Sequence, residues 1–214
     1  MTATVSELNP KSRSRSDRER FGDVLALQRA AYVRDGAPSL TKRRSDLKKF
    51  KAAMLARRSA IEEAINTDFG HRSRHETALM EILGVVERTN YLERNLRRFM
   101  RPTHRRIALD MRFGSNRIEY QPLGVVGVIS PWNYPVNLSL MPVVTAIAAG
   151  NRVMLKPSKL TPATNAVLAS MLGELFSESF GGSSSAAGRP ASLRTTPWCT
   201  NPRSTPSSTA TTGW

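Results

Sequence analysis

The chain has one cysteine, Cys199, among its 214 residues. An intramolecular disulfide is therefore excluded. Histidine is nearly as scarce. His71 and His75 are four positions apart, but no cysteine and no third close ligand joins them or His104. They read as surface or capping residues, and no metal site is expected. Long apolar runs are missing as well. None approaches the ~20 residues needed to span a bilayer, and the first residues hold no apolar signal core. No membrane partner is expected, and the cytoplasm is the default compartment.

Acidic residues are few, 17 against 32 lysines and arginines, which leaves a net charge of +15. Residues 1–120 hold 26 of the basic and 15 of the acidic side chains, so most of the excess lies there. Such a balance favours anionic partners, including phosphorylated ligands. The runs Lys42-Arg43-Arg44 and Lys48-Lys49 lack interleaved aromatics for base stacking. They read as a solvated helix face rather than a nucleic-acid interface.

What is present is organised in segments. Residues 1–20 are polar and basic and read as a disordered leader. Residues 21–102 read as helical. Phe21, Val24, Leu25, Leu27 and Ala31 mark a helix over Phe21–Arg34. After the turn Asp35–Ser39, a helix from Leu40 to about Asn66 carries the stripe Leu47, Phe50, Met54, Ile61 and Ile65. Gly70 is a suitable stop. A third helix spans about His75–Met100, with Leu79, Ile82, Leu83 and Val86 on one face, continued by Leu92, Leu96 and Phe99. Pro102 ends it. Residues 103–120 read as a hairpin, with Ile107–Phe113 and Arg117–Tyr120 around the turn Gly114-Ser115-Asn116.

Residues 121–176 carry the most information. Val125–Ile129 and Val153–Leu155 are apolar, β-branched and of strand length. Between them Asn137–Ala149 is long enough for about three helical turns. It closes on Gly150-Asn151, a stop pair, and Pro142 either begins this helix or kinks it. Strand, helix, strand over this span is a βαβ unit. Ligands of open α/β sheets bind beyond the carboxyl ends of the strands. Asn133 follows the first strand and Lys156 ends the second, so parallel strands bring both to one sheet edge. Thr161 and Pro162 then read as the N-cap and first position of a helix reaching about Phe176. In residues 177–214 serine, threonine, proline and glycine make up 24 of 38 positions. That composition buries too little surface to offset chain entropy, and disorder is expected.

Pro131-Trp132-Asn133-Tyr134-Pro135, then Ala148-Ala149-Gly150-Asn151, then Lys156-Pro157-Ser158, resemble the front of the aldehyde dehydrogenase cofactor domain. Asp68-Phe69-Gly70-His71-Arg72-Ser73 with Glu76 resembles the coniferyl aldehyde dehydrogenase branch. The resemblance implies an α/β fold: N-terminal helices plus the first, incomplete part of a Rossmann-like parallel-sheet cofactor domain. It implies an oxidoreductase that takes an aldehyde and NAD or NADP to a carboxylic acid, and a homo-oligomer using the hairpin as its ribbon. By the same resemblance, Asn133 is the oxyanion-hole donor. Ile129, Ser130, Pro131 and Trp132 line the cofactor groove, and Lys156, Ser158 and Lys159 contact the adenosine side. Many members have glutamate where Lys159 stands. A lysine cannot accept ribose hydroxyl bonds, and it favours a 2′-phosphate.

The resemblance stops near Phe176, ahead of the family's nucleophilic cysteine and base glutamate. Cys199 lies in Thr-Pro-Trp-Cys-Thr-Asn-Pro, where nothing depresses a thiol pKa. The expectation is a truncated, frame-shifted family chain without activity of its own. The alternatives are a non-catalytic module that pairs with a full-length relative, and a basic nucleic-acid-binding protein.

Overall fold

The computed structural model describes residues 10–106 and 114–176. The expected tail 177–214, with Cys199, and the expected strand 107–113 lie outside the described residues.

The first helix, α1 (Pro10–Asp35), begins eleven positions ahead of the expected start at Phe21. Pro10 occupies the first helical position, which its missing N–H suits, and the Arg, Lys and Glu that follow are good helix formers. Polarity argued for a leader there, but helix propensity does not require apolar residues. The long second helix is divided into α2 (Leu40–Ala56) and α3 (Arg58–Phe69). Arg57 leaves the helical region between them, with φ −101° and ψ 13°. Its guanidinium pairs with Glu174 near the end of α7 (Pro162–Phe176), which fixes the break against that helix. Ser39 caps α2 through Oγ, which accepts the Lys42 N–H at 3.2 Å. Gly70 ends α3 in the left-handed region, as its position implies.

The third helix contains a feature absent from the sequence reading. A short turn α4 (Arg74–Glu76) runs through a π-helical stretch, Thr77–Leu83, into α5 (Gly84–Phe99). The wider π turn re-aims the side chains. Ile82 is buried as expected, but Leu79 and Leu83, expected on the same face, are exposed, and Thr77, Glu81 and Val85 are buried instead. Beyond the bulge Leu92 and Leu96 return to the core, while Phe99 is partly exposed.

Strands β1 (Thr103–Arg105) and β2 (Asn116–Ile118) pair antiparallel, with His104 opposite Arg117. This pairing lies within the expected hairpin 103–120. Asn116 belongs to a strand rather than to the turn, and the segment pairing with 116–118 is 103–105.

Strand β3 (Val125–Ile129) and strand β4 (Arg152–Lys156) pair parallel in direct register, from Val125 opposite Arg152 to Ile129 opposite Lys156. The connecting helix α6 (Asn137–Ala148) packs on both strands and contains Pro142 without starting there. Its stop is Gly150, at φ +86°. The core joins Leu47, Phe50 and Met54 of α2 to Leu140, Val143 and Val144 of α6 and to Leu168, Met171 and Leu172 of α7.

Two charged side chains fasten the helices to this βαβ unit. Arg43 is buried and donates to Pro38 O at 2.8 Å and to Ala148 O at 3.3 Å. Asp68 caps α7, its carboxylate accepting the N–H groups of Ala163 (3.0 Å) and Thr164 (2.8 Å) and the Thr164 hydroxyl (2.7 Å). Thr161 holds the N-cap position ahead of Pro162, its carbonyl accepting the Asn165 N–H at 3.0 Å, but its hydroxyl is not the cap. A full charge at the helix N-terminus fills that role, and such charge is favourable there, while the Thr161 hydroxyl turns to Asn165.

Gly150 and Gly36 separate two effects. Both have positive φ, but a Cβ on Gly150 meets the Arg43 guanidinium at 2.5 Å, whereas one on Gly36 meets nothing within 4 Å. Gly36→Ala should cost about 1–2 kcal/mol, the left-handed strain alone. Gly150→Ala should cost more, on the order of 3 kcal/mol or above, because the Arg43 carbonyl bonds are disturbed as well. Urea midpoints of the two variants test this, and equal losses would contradict it.

Candidate functional site

Ile129 and Lys156 end the two parallel strands side by side. The chain then crosses the carboxyl edge of the sheet as the loop Ser130–Val136 before entering α6. Asn133 lies in this loop with an exposed side chain, and its amide has no partner among the described residues. Ile129 is 79 % exposed, Trp132 52 % and Leu160 66 %. Ile129 lies opposite Lys156 in the ladder, and Lys159 and Leu160 follow β4 in an exposed turn. Pro131 is exposed as well.

Not every expected residue presents its side chain here. Ser130 is buried, its Oγ 2.6 Å from Ser139 Oγ of α6. Its backbone N–H continues the ladder to Lys156 O at 3.0 Å. Ser130 therefore joins strand to helix and leaves only backbone at the edge. The Ser158 hydroxyl accepts the Leu160 N–H at 3.2 Å, and its carbonyl accepts from Asn165 Nδ2 at 2.6 Å. It shapes the turn that displays Lys159.

The sequence reading missed the residues that hold the loop. Arg72 reaches across from the segment after α3. Its Nη2 donates to Asn133 O at 3.0 Å and its Nη1 to Glu81 Oε1 at 3.1 Å. Its guanidinium lies 4.0 Å from the Phe69 ring centroid and 5.2 Å from that of Tyr134. Phe69 in turn stacks on Trp132, at 6.4 Å between centroids. Glu81, from the π-helical stretch, is fully buried. Its Oε2 accepts the N–H groups of Val136 at 3.0 Å and Asn137 at 2.8 Å, which opens α6. A glutamate among apolar helix positions was a visible signal, but the α6 amides that it accepts from lie more than 50 residues away.

Burial raises the Glu81 pKa, while the Asn137 and Val136 amides and then Arg72 pull it down. The net direction is upward, because removing a carboxylate from water disfavours its charged form.

A cavity beside the sheet lies elsewhere. About 310 Å³ in volume, it sits at the opposite, amino edge of β4 and is bordered by Tyr32, Asp35, Arg152 and Phe176. It includes none of the residues above. The basic runs do not form a uniform stripe either. Arg43 is buried, and Lys48 and Lys51 both lie near Glu93, at 3.7 and 3.6 Å. Among the described residues, no three His, Cys, Asp or Glu side chains converge on a metal-sized site, and no helix is long and apolar enough to cross a membrane.

A parallel βαβ unit whose connecting loop crosses the carboxyl edge is the opening of a parallel α/β domain. The sequence pattern of the aldehyde dehydrogenase family matches residues 11–178, and the chain belongs to that family. It is 39 % identical over 174 residues to a probable coniferyl aldehyde dehydrogenase of Pseudomonas aeruginosa, covering 81 % of this chain and 37 % of that one. It is 41 % identical over 160 residues to the coniferyl aldehyde dehydrogenase of a Pseudomonas species, covering 75 % and 33 %. The substrate-bound state of Staphylococcus aureus AldH superposes with a TM-score of 0.71 at 27 % identity, over 75 % of this chain and 35 % of that one. The chain thus spans about a third of the relatives it matches.

The Glu81 environment makes a signed prediction. The folded carboxyl holds its proton more tightly than the unfolded one. Its contribution to stability is therefore fullest at low pH and is lost as pH rises from about the ordinary 4.5 through the raised folded value. Glu81→Gln lacks this titration. The stability of the native chain relative to Glu81→Gln should fall between pH 4.5 and 7, read as a difference in urea midpoints. A difference that grows with pH would contradict the assignment.

Proposed function

We propose that this chain carries the oxyanion donor and the adenosine side of the cofactor groove of an NAD(P)-dependent aldehyde dehydrogenase acting on aromatic aldehydes of the coniferyl type. The observation that carries the reading is the register of Ile129 with Lys156, which brings the Asn133 loop and two lysines to one sheet edge. The aromatic class rests on the two relatives named for coniferaldehyde. The aldehyde dehydrogenase family is NAD(P)-dependent.

In this reading a thiolate adds to the aldehyde carbon, and the carbonyl oxygen becomes an oxyanion. The Asn133 amide donates to that oxygen and stabilises it as its charge develops. NAD(P)+, were it held at this edge by Ile129, Trp132, Lys156 and Lys159, would supply the acceptor for the hydride that leaves the same carbon. The residues at the edge suit such a ligand. Ile129, Trp132 and Leu160 offer apolar surface to a ring. Lys156 donates to ribose or phosphate oxygens, and Lys159 favours a 2′-phosphate. The thiolate and the general base come from outside the described residues. The sole cysteine, Cys199, stands in a sequence with no activating neighbours. Negligible aldehyde oxidation is expected of the chain alone.

Calorimetry at fixed low salt tests the groove. Binding should be weak, with a Kd on the order of millimolar, or about 4 kcal/mol. NADP+ should bind at least as well as NAD+, and Lys159→Glu should reverse the order. Micromolar NAD+ binding, or an order unchanged by Lys159→Glu, would contradict the reading.

A further inference from the structure

We propose that Arg72 and Glu81 are positioning residues that hold the Asn133 amide and the Trp132 indole in one fixed arrangement at the sheet edge. In calling that amide an oxyanion donor, the proposal rests on the function proposed above. The arrangement itself does not depend on it.

The loop Ser130–Val136 has few supports of its own. Its amino end is tied by the Ser130 ladder bond and the Ser130–Ser139 contact. Its carboxyl end is tied by Glu81 through the Val136 and Asn137 amides. Between them, Arg72 is the side chain that grips the backbone at Asn133, and it grips the carbonyl. That choice matters chemically. A clamp on the side-chain amide would occupy the donor the reaction needs, whereas a clamp on the carbonyl orients the residue and leaves the amide exposed.

Arg72 is itself held on three sides. Glu81 fixes one nitrogen, the Phe69 face supports the guanidinium plane, and Glu76 lies 3.7 Å from Nε. The Phe69 ring continues the stack to Trp132. A displacement of Arg72 would therefore reach the Asn133 backbone by a hydrogen bond and the Trp132 ring by contact. Lysine cannot replace it fully. A point charge on a flexible stem cannot bridge a carboxylate and a carbonyl while also stacking on a ring. The π-helical stretch belongs to the same device, because its wider turn places Glu81, rather than Leu79 or Leu83, against the start of α6.

The test uses the full chain with Trp198→Phe and Trp214→Phe, so that Trp132 is the only indole. Hydrogen exchange of the 133–137 amides is followed by NMR, together with the Asn133 side-chain amide signal and Trp132 fluorescence. Arg72→Met, Arg72→Lys and Glu81→Gln are compared. Hydrogen bonds to charged groups are strong enough that losing one should speed local exchange by at least about tenfold. Arg72→Met should do so at 133–137, broaden the Asn133 amide signal and shift Trp132 emission, with exchange in α2 and α5 unchanged. Arg72→Lys should restore these only in part. Glu81→Gln should release Val136 and Asn137 less than Arg72→Met releases Asn133, because its amide oxygen still accepts. Uniform acceleration across the core, or an undisturbed loop in Arg72→Met, would overturn the proposal. Should Arg72→Met not fold, the same two outcomes in Arg72→Lys decide. Absence of nucleotide binding by the native chain would instead count against the proposed function and leave these signals intact.

Discussion

A buried carboxylate set against the first turn of α6 is the constraint around which the carboxyl edge of the sheet is arranged. Glu81 is fully buried. An ionised group there loses several kcal/mol of hydration, which only well-aligned donors offset. Three are supplied, two from the opening of α6 and one from Arg72. The requirement works in both directions. Glu81 needs the α6 terminus as a partner, and that terminus needs its free amides satisfied. The loop carrying Asn133 therefore ends at a defined place.

The same solution recurs at the other helix of the unit. Asp68 meets the opening amides of α7 as Glu81 meets those of α6. Both carboxylates come from the helical segment that precedes the sheet, so the N-terminal helices are more than a cover for its face. They complete the two helices that flank β4. Arg43 adds the converse contact at the far end of α6, donating to Ala148 O near the helix C-terminus, where positive charge is favourable. The βαβ unit is thus held electrostatically at both ends of α6 and packed between them by Leu140, Val143 and Val144.

Much of this fold was legible in the sequence where the signal is local. The two strands, α6, and the stops at Gly70 and Gly150 follow from period, length and turn residues, and the structure places them accordingly. The break at Arg57 and the π-helical stretch were not legible. An i, i+4 pattern continues through both, and only tertiary partners decide against it: Glu174 for Arg57, and α6 for Glu81. The cap of α7 was assigned to its sequence neighbour Thr161, because the competing carboxylate of Asp68 is 95 residues from Ala163. At the site, Asn133 and Lys156 came from motif and topology together. Glu81 carries no motif, Arg72 stood in the Asp68–Ser73 motif without an assigned role, and the reading of Ser130 as a groove residue overlooked the helix that buries its hydroxyl.

The central claim is that a nicotinamide nucleotide recognises the carboxyl edge of β3 and β4. Chemical-shift mapping of the full chain with NADP+ tests it most directly. The account predicts perturbations concentrated at Ile129, the Trp132 indole, Lys156 and Lys159, weakened by Lys156→Ala. Perturbations centred instead on the cavity by Tyr32 and Arg152, at the amino edge of β4, would contradict it.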